Sequence, residues 1–162
     1  QSNAITQNVP AGGTLDVPTK QVWGTAASPK LYCINGLTTS TTDKVDFAGN
    51  FTGAGILVVQ NSNVEINGAW HWEGLIIVSG ANVGFKVAGG GNKDIYGSIM
   101  INETATDSPV EVDLQGAVNV RYSSAALQNA MTQFTSSQNP LQNVYDSMPS
   151  SISTVYWRTV SN

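Results

Sequence analysis

The stretch GILVVQNSNVEINGAWHWEGLIIVSG, residues 55–80, decides the fold. It holds two glycine-led aliphatic runs, residues 55–60 and 74–79, with a shorter alternation, Val64 and Ile66, between them. The same unit recurs at residues 97–102 (GSIMIN) and 116–121 (GAVNVR), so the leading glycines are 19, 23 and 19 residues apart. Before each run lies a second alternation: Val45/Phe47, Val64/Ile66, Val83/Phe85/Val87 and Val110/Val112/Leu114. Apolar residues at every second position, punctuated by Gly and Asn, read as short strands joined by turns. A repeat of about 20 residues with two or three such strands is one coil of a β-solenoid. The expected fold is a right-handed parallel β-helix of about four to five coils over residues 31–122, each coil rising by roughly one strand spacing, ~4.8 Å.

The alternation also assigns faces. Positions two and four after each glycine are Leu57/Val59, Ile76/Val78, Ile99/Ile101 and Val118/Val120, and they are expected to stack in the core. Positions one and three are Ile56/Val58, Leu75/Ile77, Ser98/Met100 and Ala117/Asn119. Most of these are apolar too, which marks a sheet covered on both sides. The expected cover is a C-terminal helix over residues 124–134, capped by Ser123 or Ser124, with Leu127, Met131 and Phe134 on one face. Residues 135–151 read as irregular and residues 152–160 as a final strand. The N-terminal stretch to Gly36 reads as a cap on the first coil with a strand at residues 31–34, and residues 1–4 resemble a purification-tag remnant.

The 162 residues fit one domain. Hydrophobic residues make up 41% and charged residues only 11%, against about 25% charged in ordinary soluble domains. That balance disfavours both a disordered polyelectrolyte and a coiled coil. The net charge is −4, and seven scattered Lys and Arg residues form no patch for a phosphate backbone. Nucleic acid is therefore not an expected partner, nor is an anionic membrane surface. Cys33 is alone, which excludes an intrachain disulfide and a multi-cysteine zinc site.

The series GNFTGAGILVVQNSNVEINGAWHWEGLIIVSG, then GGGNKDIYGSIMIN, then GAVNVRYSSAAL resembles the C-terminal β-helical domain of bacterial type IV pilus-associated, PilX-like surface proteins. The resemblance covers residues 45–130. It implies an exported, bacterial cell-surface or extracellular protein with a pilin-like helix ahead of the residues read here. A membrane would then be engaged only through that segment. It implies a non-enzymatic structural or adhesive role, with pilus or envelope proteins, or surface glycans, as partners. It carries over no catalytic residue and no cofactor. Ice-binding solenoids are a more distant likeness, but Thr38-Thr39 and Thr41-Thr42 do not recur at the coil spacing.

Trp70-His71-Trp72-Glu73 departs from the shared pattern. Alternation puts the tryptophans on one face, where they could stack on sugar rings, and His71 with Glu73 on the other, where they could exchange protons. The competing and preferred reading is that the tryptophans pack against the Gly-rich loop at residues 88–92 or the C-terminal segment. Glu111 and Asp113, near Glu103 and Asp107, have the spacing of a Ca²⁺ site or of a carboxylate pair, set against an ordinary solvated face. Gly89-Gly90-Gly91-Asn92-Lys93 lacks P-loop spacing and reads as a turn. Three functions follow: a structural or adhesive surface module, a carbohydrate-binding or polysaccharide-cleaving solenoid, and a solenoid that polymerises through an uncovered terminal coil.

Overall fold

The computed structural model describes residues 4–37, 42–106 and 110–132. In chain order the strands are Ala4–Val9 (β1), Thr14–Val17 (β2), Gln21–Trp23 (β3), Lys30–Gly36 (β4), Lys44–Ala48 (β5), Phe51–Gln60 (β6), Asn63–Asn67 (β7), Trp70–Gly80 (β8), Gly84–Ala88 (β9), Lys93–Glu103 (β10), Glu111–Leu114 (β11) and Val118–Arg121 (β12). One helix, Ser124–Thr132 (α1), follows. All pairings between these strands are parallel, in two sheets ordered β1-β4-β6-β8-β10-β12, with β3 also on β6, and β11-β9-β7-β5-β2. Successive strands in each sheet are one coil apart in sequence, so the molecule is a β-solenoid of about five turns.

The expected columns are present through the middle coils. Tyr32, Leu57, Ile76 and Ile99 stand in register, as do Ile34, Val59, Val78 and Ile101. Leu57, Val59, Ile76 and Val78 have no exposed surface. In the second sheet Val45, Val64, Phe85 and Val112 form one column and Phe47, Ile66, Val87 and Leu114 another. Each fully buried aliphatic side chain contributes about 1.5–3 kcal/mol relative to exposure.

β6, β8 and β10 each turn a corner at a glycine. Gly55, Gly74 and Gly97 are stacked in register with φ of 130°, 134° and 142°. A Cβ at Gly74 would fall inside the carbonyl oxygen of Gly55, and one at Gly97 inside that of Gly74. No L side chain fits there, on either dihedral or steric grounds.

The last glycine-led run departs from the expected register. Val118 pairs with Lys93 and Val120 with Ile95, not with Ile99 and Ile101. The loop after β10 is longer than the one after β8 and absorbs the extra residues, so Gly116 serves a different corner, near the Gly89 carbonyl. Val118 is half-buried, and Val120, expected in the core, is 46% exposed, β12 being the last strand of its sheet among the described residues. At the other end, the residues expected to cap the solenoid form its first turn through β1, β2 and β3, and Ala4 opens β1.

α1 covers the outer face after the glycine corner, as expected. Leu31, Ile56, Val58, Ile77 and Ala130 form one buried cluster. Ser123 caps the helix, its Oγ accepting the Ala126 N–H at 3.2 Å. The buried face matches the expected one only in part: Leu127 is half-buried, but Met131 is not on it. Ala130 is 1% exposed while Met131 is 50% exposed. A Cβ at Gly74 would lie 3.2 Å from the Ala130 Cβ, so the helix approaches the sheet closely and only a small residue fits the contact. Phe134, residues 135–151 and the expected strand at 152–160 lie outside the described residues.

Gly74→Ala is expected to lower stability by roughly 2–5 kcal/mol through strain and overpacking. Gly90→Ala, where an added Cβ meets nothing within 4 Å, is expected to change it by less than about 0.5 kcal/mol. Urea midpoints of the two variants measure the contrast, and equal midpoints would mean that the coils are not stacked at Gly74.

Candidate functional site

β8 is inward at every second residue from Trp70 through Val78. That parity places both tryptophans in the core, at 2% and 0% exposure. Phe51 and Trp70 stack at 5.5 Å and 10°, and Trp70 and Trp72 at 5.9 Å and 14°. Trp23, Tyr32 and Phe47 extend the cluster. Gly53 pairs with Trp72, and a Cβ there would collide with the indole ring, so the missing side chain makes room for it. The expectation that Trp70 and Trp72 present faces to sugar rings is therefore corrected. Among the described residues, they pack on other aromatic rings inside the solenoid. Neither indole N–H has an acceptor among the described residues. That costs about 1–3 kcal/mol each, offset by the large area the rings bury.

Lys93 shares the inward parity and is fully buried, in register between Trp70 and Val118. Its Nζ donates to the Gly89 carbonyl at 2.5 Å. The Gly-rich stretch is thus a turn between coils, as expected, and its first carbonyl receives the buried amine.

His71 and Glu73 face outward, and the pairing of β6, β8, β10 and β12 extends them into an array. One row runs Thr52, His71, Asp94, Asn119 and the next Ala54, Glu73, Tyr96, Arg121. His71 Nε2 lies 2.9 Å from Glu73 Oε1, with the ring nitrogen as donor to the carboxylate. Both side chains are a little over one-third exposed. The Asn119 amide donates to Asp94 Oδ1 at 3.0 Å. The Tyr96 ring stands 5.5 Å from that of His71, and the Arg121 guanidinium 5.9 Å from its centre. The strip therefore offers one aromatic ring, one guanidinium and a set of carboxylates already paired within it. Tyr96, Asp94 and Asn119 escaped the sequence reading because they come from different coils. Their shared outward parity with His71 and Glu73 was the available signal.

The outer side of the second sheet carries charge instead. Lys44 donates to Glu65 at 2.7 Å, and Lys86 lies 3.9 Å from the same carboxylate. The Lys44 partner holds the Glu65 carboxyl below the usual range, and Glu65 raises the Lys44 amine. Gly84 leaves a notch of about 230 Å³ in this surface, rimmed by Asn63, Lys86 and Glu111. Glu111 pairs with Gly84, while Asp113 pairs with Lys86 and accepts from the Gln115 amide at 2.8 Å. The described residues bring together no group of three or more candidate metal ligands. Glu103, expected near Glu111 and Asp113, turns to the loops that follow β8 and β10. It accepts backbone N–H groups of Asn82, Val83 and Ala105 at 2.9, 2.8 and 2.7 Å. Asp107 lies outside the described residues. Cys33 is half-buried beside the cluster under α1, and burial raises its thiol pKa.

Compared with known protein families, with curated proteins and with solved structures, the chain matches none.

Burial alone would raise the Glu103 pKa, but the backbone donors outweigh it and hold the carboxyl below its ordinary 4.5. A carboxyl depressed in the folded state stabilises fully above that value, and its contribution is lost as pH falls through the folded pKa. Glu65 acts in the same direction. Stability is therefore expected to drop between about pH 5 and pH 3. Glu103→Gln is expected to shrink that drop while lowering stability at neutral pH, as read by urea unfolding at each pH.

Proposed function

We propose that this chain is a non-enzymatic structural or adhesive module of a bacterial cell-surface or pilus-associated protein. One observation carries the reading: the strip before the glycine corner carries polar, part-exposed side chains around Tyr96, while the apolar strip after it is covered by the chain's own helix. A rigid column of buried aliphatic side chains beneath such a strip favours contact with a surface over closure around a small substrate. The low charge content leaves the module without long-range electrostatic steering. Pilus or envelope proteins are the expected partners.

A second reading, glycan binding by the same strip, is supported by the Tyr96 ring between His71 and Arg121. Aromatic faces bordered by hydrogen-bonding groups suit sugar rings. In this reading the His71–Glu73 pair orients hydroxyl groups and performs no proton transfer.

Antibodies against the solenoid are expected to label intact cells of the source bacterium or its sheared pili, and label confined to lysed cells would overturn the reading. Tyr96→Ala combined with Arg121→Ala is expected to weaken attachment about tenfold, the effect of losing ~1.4 kcal/mol. The thermal midpoint should hold, since both side chains point outward. Attachment measured on immobilised pili and on a glycan array separates the two partner classes.

A further inference from the structure

Among the described residues, the two ends of the solenoid present unpaired strand edges of like kind. At the far end the unpaired edges, among the described residues, are residues 98–103 of β10, then β11, then β12. At the near end they are β1, β2 and β3. Following the chain, these edges have six, four and four residues at the far end and six, four and three at the near end. Both sets run in the same direction, because all pairing within the stack is parallel.

We propose that a second copy of this chain stacks head to tail on the far end, so that its β1, β2 and β3 continue the sheets beyond β10, β11 and β12. The inward side chains support this occupant. Val112, Leu114 and Val120 point along the core columns yet are 36%, 44% and 46% exposed, and no coil among the described residues covers them. Ile99, Ile101 and Val118 beside them are half-buried. At the near end Ile5 points inward from β1, in register with Tyr32, and is 43% exposed. Extending the register by one coil sets Ile5 of the second copy over Ile99, Leu15 over Val112 and Trp23 over Val120.

The edges also lack the usual protection. β1, β2 and β3 contain no Lys and no Pro, the residues that commonly block edge pairing. α1 does not close the far end either. It packs against the flank of β6, β8 and β10. The junction brings Asp113 of one copy beside Asp16 of the next, so added salt favours the stack by screening the like charges. A head-to-tail contact is heterologous and does not close on itself, so it yields linear oligomers.

The full chain in light scattering and sedimentation velocity is the test. The average mass is expected to rise with concentration, and further with added salt. Val120→Lys alters only the far end and Ile5→Lys only the near end. Each variant alone is expected to remain monomeric, and an equal mixture to form dimers that do not grow, because one intact far end then meets one intact near end. Circular dichroism confirms that both variants fold, and Val120→Asp and Ile5→Asp repeat the test should a lysine fail to fold. A full chain that stays monomeric at all concentrations overturns the proposal. So does a mixture without dimers, or an Ile5→Lys variant that dimerises alone, which would point to pairing of like ends. None of these results bears on where the protein is displayed.

Discussion

The close vertical stacking of backbone on backbone at Gly55, Gly74 and Gly97 is the constraint on which the other features rest. Each glycine adopts a dihedral that L side chains avoid, and each leaves space that the neighbouring carbonyl oxygen fills. With the corners aligned, the residues on either side fall into register, and the aliphatic columns of the core follow. The same alignment leaves Gly74 bare enough for Ala130 of the helix to rest against it. One geometric requirement thus sets the core on the inner side and the docking of α1 on the outer side.

That corner also divides the outer surface. Before it, β8 turns His71 and Glu73 outward; after it, Leu75 and Ile77. β6 and β10 keep the same division, with Thr52 and Ile56 on one and Asp94 and Tyr96 before the corner of the other. The helix covers the apolar side because burying Ile56, Val58 and Ile77 contributes about 1.5–3 kcal/mol per side chain. The polar side gains little from a cover, and His71, Glu73, Asp94 and Tyr96 on it are part-exposed. The core beneath that strip is aromatic, so its support is stiff.

Much of this was legible in the chain. The spacing of Gly55, Gly74 and Gly97 specified stacked coils, and the alternation around them named Leu57, Val59, Ile76 and Val78 as core. Carrying the same parity back through the glycine would also have buried Trp70, Trp72 and Lys93. The preferred reading packs the tryptophans too, but against residues 88–92 or the C-terminal segment and not within the aromatic core. The failure at Gly116 has a different origin. Its spacing from Gly97 repeats that from Gly55 to Gly74, but a longer loop before β11 moved it to another corner. Equal spacing is a reliable ruler only when the loops between strands are equal.

Sequence alone determined the class of fold, the inner columns and the existence of a helical cover, because local alternation and glycine dihedrals are properties of short segments. Tertiary structure decided which residues from separate coils meet: His71 with Tyr96, Asp94 with Asn119, Glu103 with the loop at Asn82 and Val83. It also decided which face of α1 is buried, since the depth of the contact at Gly74 selects Ala130 over Met131. These choices depend on inter-coil register and on the distance between packed elements, and neither quantity is encoded within any one segment of the chain.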